Sequence, residues 1–91
     1  MNEQQYEQLL QIETAKPQQG FPSSAEYHRY EPTPYEALDL LRDAYPLEST
    51  DTIVDFGSGK GRLPFYLAYT FRVRAIGVEM DGGFHEEALQ N

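Results

Sequence analysis

Apolar positions recur along the chain first at helical and later at strand-like spacing, which divides it into six predicted elements. Near the start they follow Asn2 at three- and four-residue intervals, which predicts a capped first helix that ends at Lys16-Pro17. Residues 18–32 combine glycine, proline and serine with several aromatic rings. We therefore expect an extended connection that packs over the rest of the chain.

A second helix is predicted to begin at Thr33-Pro34. Thr33 would cap it, Pro34 would occupy its first turn, and Glu36 would complete a capping box. Apolar residues then mark one face of this helix as far as Tyr45, and Pro46 ends it.

Two short runs of apolar residues, Thr52–Phe56 and Val73–Glu79, predict buried strands. Residues 62–71 between them are predicted to form a helix, and Asp81 can cap a final helix over residues 82–90. A strand, a helix and a second strand make a βαβ unit, which requires parallel strands and a right-handed crossover. We predict an α/β chain in which residues 1–32 form an N-terminal helix and connecting segment, and residues 33–91 form the main domain.

Composition and charge narrow the classes of function. The chain has 91 residues, a formal net charge of −8 and no cysteine, so it is at most one small domain without disulfides or thiolate metal sites. Its two histidines are far apart, and we expect no metal. The acidic balance disfavours nucleic-acid binding, and four basic residues in the second half are expected to be solvated helix and strand ends. They are Lys60, Arg62, Arg72 and Arg74.

The expected location follows from the same features. No apolar run approaches the roughly 18 residues of a membrane span. The start of the chain is acidic and rich in glutamine, unlike the basic and apolar opening of a secretory leader. We expect a cytoplasmic protein that does not bind membranes.

A glycine-rich turn carries the candidate chemistry. Gly57, Gly59 and Gly61 follow the first strand and lead into a helix. Such a turn lets a ligand approach the backbone, and the helix presents free N–H groups and the positive end of its dipole. Glu79 ends the neighbouring parallel strand, so we expect it beside the turn, where its carboxylate can accept both hydroxyls of a ribose.

The spacing of the glycines separates two ligand classes. Dinucleotide sites follow G-x-G-x-x-G, whereas here the third glycine comes two residues after the second and Asp55 stands two before the first. A carboxylate at that position would repel a pyrophosphate but suits a cationic amino group. The D-x-G-x-G-x-G run resembles the first motif of class I S-adenosylmethionine-dependent methyltransferases. Gly77–Asp81 is similar to the family's second acidic motif, and Tyr30–Pro34 to a Thr-Pro element of some branches.

This resemblance covers residues 27–91 and implies the N-terminal portion of a Rossmann-like methyltransferase fold with S-adenosylmethionine as cofactor. It implies that the backbone of Gly57, Ser58 and Gly59 approaches the methionine part of the cofactor. Asp55 would face its ammonium, directly or through water, and Glu79 would hold the ribose.

The resemblance also implies that Met80 lies against the adenine and that Thr33 and Tyr30 meet the carboxylate end of the cofactor. Structural alternatives stay open for several of these residues. Gly61 can serve helix packing alone, and Asp55 can bond N–H groups of the loop. Glu79 can be a solvated strand end, Met80 a core residue and Tyr30 a packing residue. The side chain of Lys60 is expected to point to solvent.

The family's fold continues through further strands that carry the substrate contacts, so neither the catalytic residues nor the methyl acceptor can be named. We interpret the chain as the cofactor-binding half of a methyltransferase, inactive by itself. An alternative is a non-catalytic fragment that binds an adenosine ligand or self-associates through the exposed edge of Thr52–Phe56. A nicotinamide-dependent oxidoreductase is disfavoured by the glycine spacing and by Asp55.

Overall fold

A computed structural model describes residues 1–16 and 31–91, which form four helices and a two-stranded parallel sheet. In chain order the elements are α1 (Glu3–Leu10), α2 (Tyr35–Ala44), β1 (Thr52–Phe56), α3 (Arg62–Phe71), β2 (Arg74–Val78) and α4 (Gly82–Gln90). The predicted α/β class and the predicted order of elements are confirmed. Within the described residues, no helix has the length and apolar character needed to cross a membrane.

The two strands pair in parallel, with Thr52 opposite Arg74 and Phe56 opposite Val78. The bounds of β1 are as predicted, and β2 is one residue shorter at each end. The prediction that both strands are buried is wrong. Ile53 packs against the core, whereas Phe56 is 80% exposed on the opposite face. Side chains alternate between the faces of a strand, and within the described residues α3 covers only the face of Ile53.

The cap of α1 is the one predicted. Asn2 Oδ1 accepts a hydrogen bond from the Gln5 N–H at 2.8 Å, and Gln5 Oε1 accepts one from the Asn2 N–H at 2.9 Å. This reciprocal pair is a capping box.

α1 ends at Leu10, six residues before the predicted stop at Lys16-Pro17. Gln11 has φ 57° and ψ 44°, which turns the chain out of the helix. The Glu7 carboxylate then accepts hydrogen bonds from the N–H groups of Thr14 and Ala15. The Glu7 side chain of α1 thereby holds residues 14 and 15 in a non-helical conformation.

The predicted cap of α2 by Thr33 is wrong. The helix begins at Tyr35 with Pro34 at the N-cap position, and within the described residues neither Thr33 nor Pro34 makes a capping hydrogen bond with its side chain. The Tyr35 N–H instead donates to Glu3 Oε2 at 2.7 Å. A carboxylate of α1 therefore supplies the acceptor that the local sequence pattern assigned to Thr33.

The core lies where α1, α2 and α3 meet and contains three tyrosines, here called the tyrosine cluster: Tyr6, Tyr35 and Tyr66. The rings of Tyr6 and Tyr35 stack with their centres 4.7 Å apart, and Tyr66 meets Tyr6 edge to face at 5.9 Å. Asp39 Oδ1 accepts hydrogen bonds from the hydroxyls of Tyr6 at 2.6 Å and Tyr66 at 2.7 Å. The cluster fastens α1 onto the βαβ unit.

Candidate functional site

Residues Gly57–Gly61, here called the glycine loop, run from the end of β1 to the start of α3. Gly57, Gly59 and Gly61 have φ values of 79°, 57° and 97°. The N–H groups of Gly57 and Ser58 both donate to the Val78 carbonyl, at 2.7 Å and 3.1 Å. The loop is therefore fastened to the carboxyl end of β2, the edge at which ligands bind in open α/β sheets.

Two glycines of the loop have different surroundings. A Cβ on Gly61 would lie 2.9 Å from the ring of Phe65 and 3.7 Å from Ala88 Cβ. A Cβ on Gly57 would have no atom of the described residues within 4 Å. Gly61 thus serves close packing of α3 and α4, whereas the backbone of Gly57 is open on the side from which a ligand can approach.

Glu79 lies beside the glycine loop, as predicted. Its Oε1 accepts a hydrogen bond from the Gly59 N–H at 2.6 Å, and its Oε2 accepts one from the Asp81 N–H at 2.8 Å. The alternative of a solvated strand end is therefore wrong. Each carboxylate oxygen has a further lone pair, so the fixed carboxylate can still accept two hydroxyl groups.

Asp55 lies half-buried on β1, one residue from the strand's end. Burial raises the pKa of its carboxyl, and the nearby charge of Glu79 raises that pKa further. No described residue donates a hydrogen bond to this carboxylate, so the alternative in which it bonds the loop is not observed. A partly desolvated carboxylate beside a second one favours a cation.

The other predicted site residues each lie in different surroundings. Met80 is 99% exposed, so the alternative of a core residue is wrong. The Ser58 side chain packs over β2, because its Oγ lies only 2.7 Å from where a Cβ on Gly77 would be. The side chain of Thr33 is exposed, and its carbonyl accepts a hydrogen bond from Arg62 at 3.0 Å. Tyr30 lies outside the described residues.

Two basic residues expected in solvent are buried instead. The side chains of Lys60 and Arg62 are 3% and 4% exposed. Lys60 Nζ lies 3.1 Å from Glu87 Oε2, and Arg62 Nη1 lies 2.6 Å from Glu3 Oε1. For Arg62, the signal that could have shown this was the pair Glu3 and Glu7, four residues apart on one helix face. Arg72 and Arg74 are exposed, as predicted.

No protein-family model, no curated protein and no solved structure matches the chain. Among the described residues, no group of three or more histidine, aspartate or glutamate side chains is arranged to hold a metal ion. The structure brings together Asp55, the glycine loop and Glu79 at one edge of the sheet.

Proposed function

We propose that the chain is the N-terminal, cofactor-binding part of a Rossmann-like, S-adenosylmethionine-dependent methyltransferase. One observation carries the proposal. The Glu79 carboxylate is held 2.6 Å from the Gly59 N–H, at the carboxyl ends of two parallel strands. This arrangement suits a ligand that presents a ribose beside the glycine loop. A cytoplasmic location is part of the same proposal.

The donor and acceptor groups at the site fit the parts of S-adenosylmethionine. Glu79 can accept the two ribose hydroxyls, and Asp55 is a carboxylate without a hydrogen-bond donor among the described residues. The ammonium of the cofactor would place a cation beside it. The open side of Gly57 leaves room for the methionine part, and the exposed thioether of Met80 suits the face of an adenine ring.

The same residues disfavour a nicotinamide dinucleotide. A pyrophosphate on the glycine loop would bring negative charge towards Asp55, whose burial already disfavours its ionised form. The position of Gly61, packed against Phe65, also differs from that of the third glycine in G-x-G-x-x-G. These observations support a cationic ligand.

In the proposed reaction, the cofactor and the residues of the chain have separate roles. When bound, the cofactor supplies an electrophilic methyl group, and the chain's residues bind and orient it. Methyl transfer depends mainly on alignment of the acceptor with that methyl group.

Calorimetry on the 91-residue chain tests the proposal. We expect S-adenosylhomocysteine to bind and NAD to give no heat of binding. In the Glu79→Ala variant the affinity should fall by about tenfold to a hundredfold, because charge-assisted hydrogen bonds to the ribose are lost. Glu86→Ala, an exposed glutamate on α4, is the matched control and should bind like the wild type.

Since Glu79 also accepts two backbone hydrogen bonds, the urea midpoint of each variant is measured alongside its affinity. Binding of NAD without any response to S-adenosylhomocysteine would overturn the proposal. Unchanged affinity in Glu79→Ala would remove Glu79 from the site.

A second candidate function, self-association, is favoured by the face of the sheet opposite α3. Four apolar side chains are exposed there or at its edge, here called the open face: Val54, Phe56, Ile76 and Val78. The outer edge of β1 has no strand partner among the described residues. A second copy of the chain could cover both features.

A further inference from the structure

The side chain of Arg62 connects the first turn of α3 to the N-terminal part of the chain. Its Nε donates to Thr14 Oγ1 at 2.7 Å, and its Nη1 donates to Glu3 Oε1 at 2.6 Å. The guanidinium carbon lies 4.1 Å from the ring centre of Tyr35, in cation–π geometry. This buried charge is therefore balanced by residues far upstream and not by the βαβ unit that carries it.

Lys60 makes a second connection in the same direction. Its Nζ contacts the Lys16 carbonyl as well as Glu87. Lys60 and Arg62 flank Gly61, and the residue before Lys60 is Gly59, whose N–H donates to Glu79. Lys60 lies in the glycine loop and Arg62 directly follows it, and the side chains of both contact residues 1–16.

The docking of α1 depends strongly on its ion pairs with Arg62. An isolated helix of eight residues does not persist in water, so α1 folds only when it docks. Tyr6 is its one buried apolar residue. Glu3 contacts Arg62 directly, and Glu7 Oε1 lies 4.0 Å from Arg62 Nη2. Loss of the Glu3 carboxylate would leave the buried Arg62 charge balanced, among the described residues, by the more distant Glu7 carboxylate alone, which costs more than loss of a surface ion pair.

We propose that Arg62 is a positioning residue that couples docking of residues 1–16 to the conformation of the glycine loop. Coupling between two sites is reciprocal, so a ligand on the loop strengthens the docking of α1, and undocking of α1 weakens the ligand. The identity of that ligand rests on the function proposed above, whereas the coupling between helix and loop does not.

Hydrogen exchange of the full chain, followed residue by residue, tests the coupling without any ligand. In Glu3→Gln we expect faster exchange of the Gly59 and Gly61 amides and of residues 6–10, with β2 unchanged. Glu13→Gln, which removes the same charge from an exposed residue, is the matched control and should leave the loop unaffected. Arg62→Lys keeps the charge but loses the planar fork, so it should shift the same amides in the same direction.

A second measurement adds S-adenosylhomocysteine. We expect the ligand to slow exchange at residues 6–10 in the wild type, and Glu3→Gln to weaken its binding by roughly fivefold or more. A uniform acceleration over all amides in Glu3→Gln and Arg62→Lys, or a loop that exchanges as in the wild type, would overturn the coupling. If the wild type does not bind the ligand, the proposed function fails, while the ligand-free comparison still decides the coupling.

Discussion

At the scale of single residues, Asp55 is a half-buried carboxylate to which no described residue donates a hydrogen bond. Burial raises the pKa of its carboxyl and Glu79 raises it further, so the folded pKa lies above the unfolded value. The stability that this group contributes is full below the unfolded pKa and is lost as the pH rises through the folded pKa. At neutral pH the ionised carboxylate therefore opposes folding until a cation is bound.

Asp55→Asn should accordingly separate stability from binding. At pH 7 we expect a higher urea midpoint than in the wild type, and this gain should vanish at a pH well below the carboxyl range. Affinity for S-adenosylhomocysteine should fall about tenfold, because the ammonium loses its charged partner. Glu86→Gln, an exposed charge of the same sign, controls for net charge. An unchanged or lower midpoint at pH 7 would contradict this account.

The same residue predicts how ligand binding depends on pH. In the wild type, affinity for S-adenosylhomocysteine should fall as the pH drops through the raised pKa of Asp55, since protonation removes the charge that faces the ammonium. Calorimetry across the acid range measures this, and Asp55→Asn should show a flatter profile. Identical profiles in the two proteins would mean that Asp55 does not face the ligand.

At the scale of elements, local sequence rules succeeded where the partners are local. The bounds of β1 and α3, the Asn2 cap and the Asp81 cap were all predictable from neighbouring residues. The stop of α1 and the cap of α2 were not. In both, a carboxylate of α1 accepts the deciding hydrogen bond from a backbone N–H seven or more residues away, Glu7 from Thr14 and Glu3 from Tyr35. A local sequence pattern cannot show which distant acceptor a backbone N–H will find.

The candidate site was predictable to a similar extent. Glu79 lies beside the loop because neighbouring parallel strands end at the same edge, which sequence alone can anticipate. The burial of Lys60 and Arg62 was not predictable from the loop itself. It depends on α1 and α4 folding back over the loop to supply Glu3 and Glu87.

Gly57 and Gly61, at the two ends of the glycine loop, predict different responses to the same substitution. Gly61→Ala places a Cβ 2.9 Å from the Phe65 ring at a positive φ, so it should lower the free energy of unfolding by about 1–3 kcal/mol. Gly57→Ala meets only the backbone strain and should cost less stability, but its methyl group would obstruct the ligand. Urea unfolding and calorimetry on both variants measure the two effects.

Relief of the contact provides the control. Adding Phe65→Leu to Gly61→Ala should recover part of the lost stability, because the ring that meets the new methyl group is gone. Equal destabilisation by the two alanine variants, with no recovery in the double variant, would show that strain alone governs both positions.

At the scale of the whole molecule, the chain leaves one face of its sheet uncovered by described residues. The apolar pattern of the strands predicted burial on both faces, and this is wrong for the open face, where Phe56 is 80% exposed. The pattern could not show that α3 reaches only one of the two faces. Parallel sheets are normally covered on both sides, so the open face is a surface that another partner would stabilise.

Phe56→Lys tests whether that partner is a second copy. Phe56 is 80% exposed, so the substitution removes little packing from the monomer. Light scattering should show a wild-type mass that rises with concentration above 10.5 kDa, and a variant that stays close to it. Leu40→Lys, at an exposed leucine on α2, should associate like the wild type. A wild type that is monomeric at every concentration would contradict self-association.

Ionisation of the tyrosine cluster can be followed by ultraviolet absorption. There are seven tyrosines and no tryptophan, so absorption at the tyrosine maximum is free of an indole contribution. The hydrogen bond to Asp39 and burial raise the pKa of Tyr6, while burial is the largest cause of the raised pKa values of Tyr35 and Tyr66. In alkali these phenols stay unionised past their ordinary pKa of 10.0, and when they ionise they place phenolates beside carboxylates. The late step of the phenolate spectrum should therefore mark the release of α1 from the core.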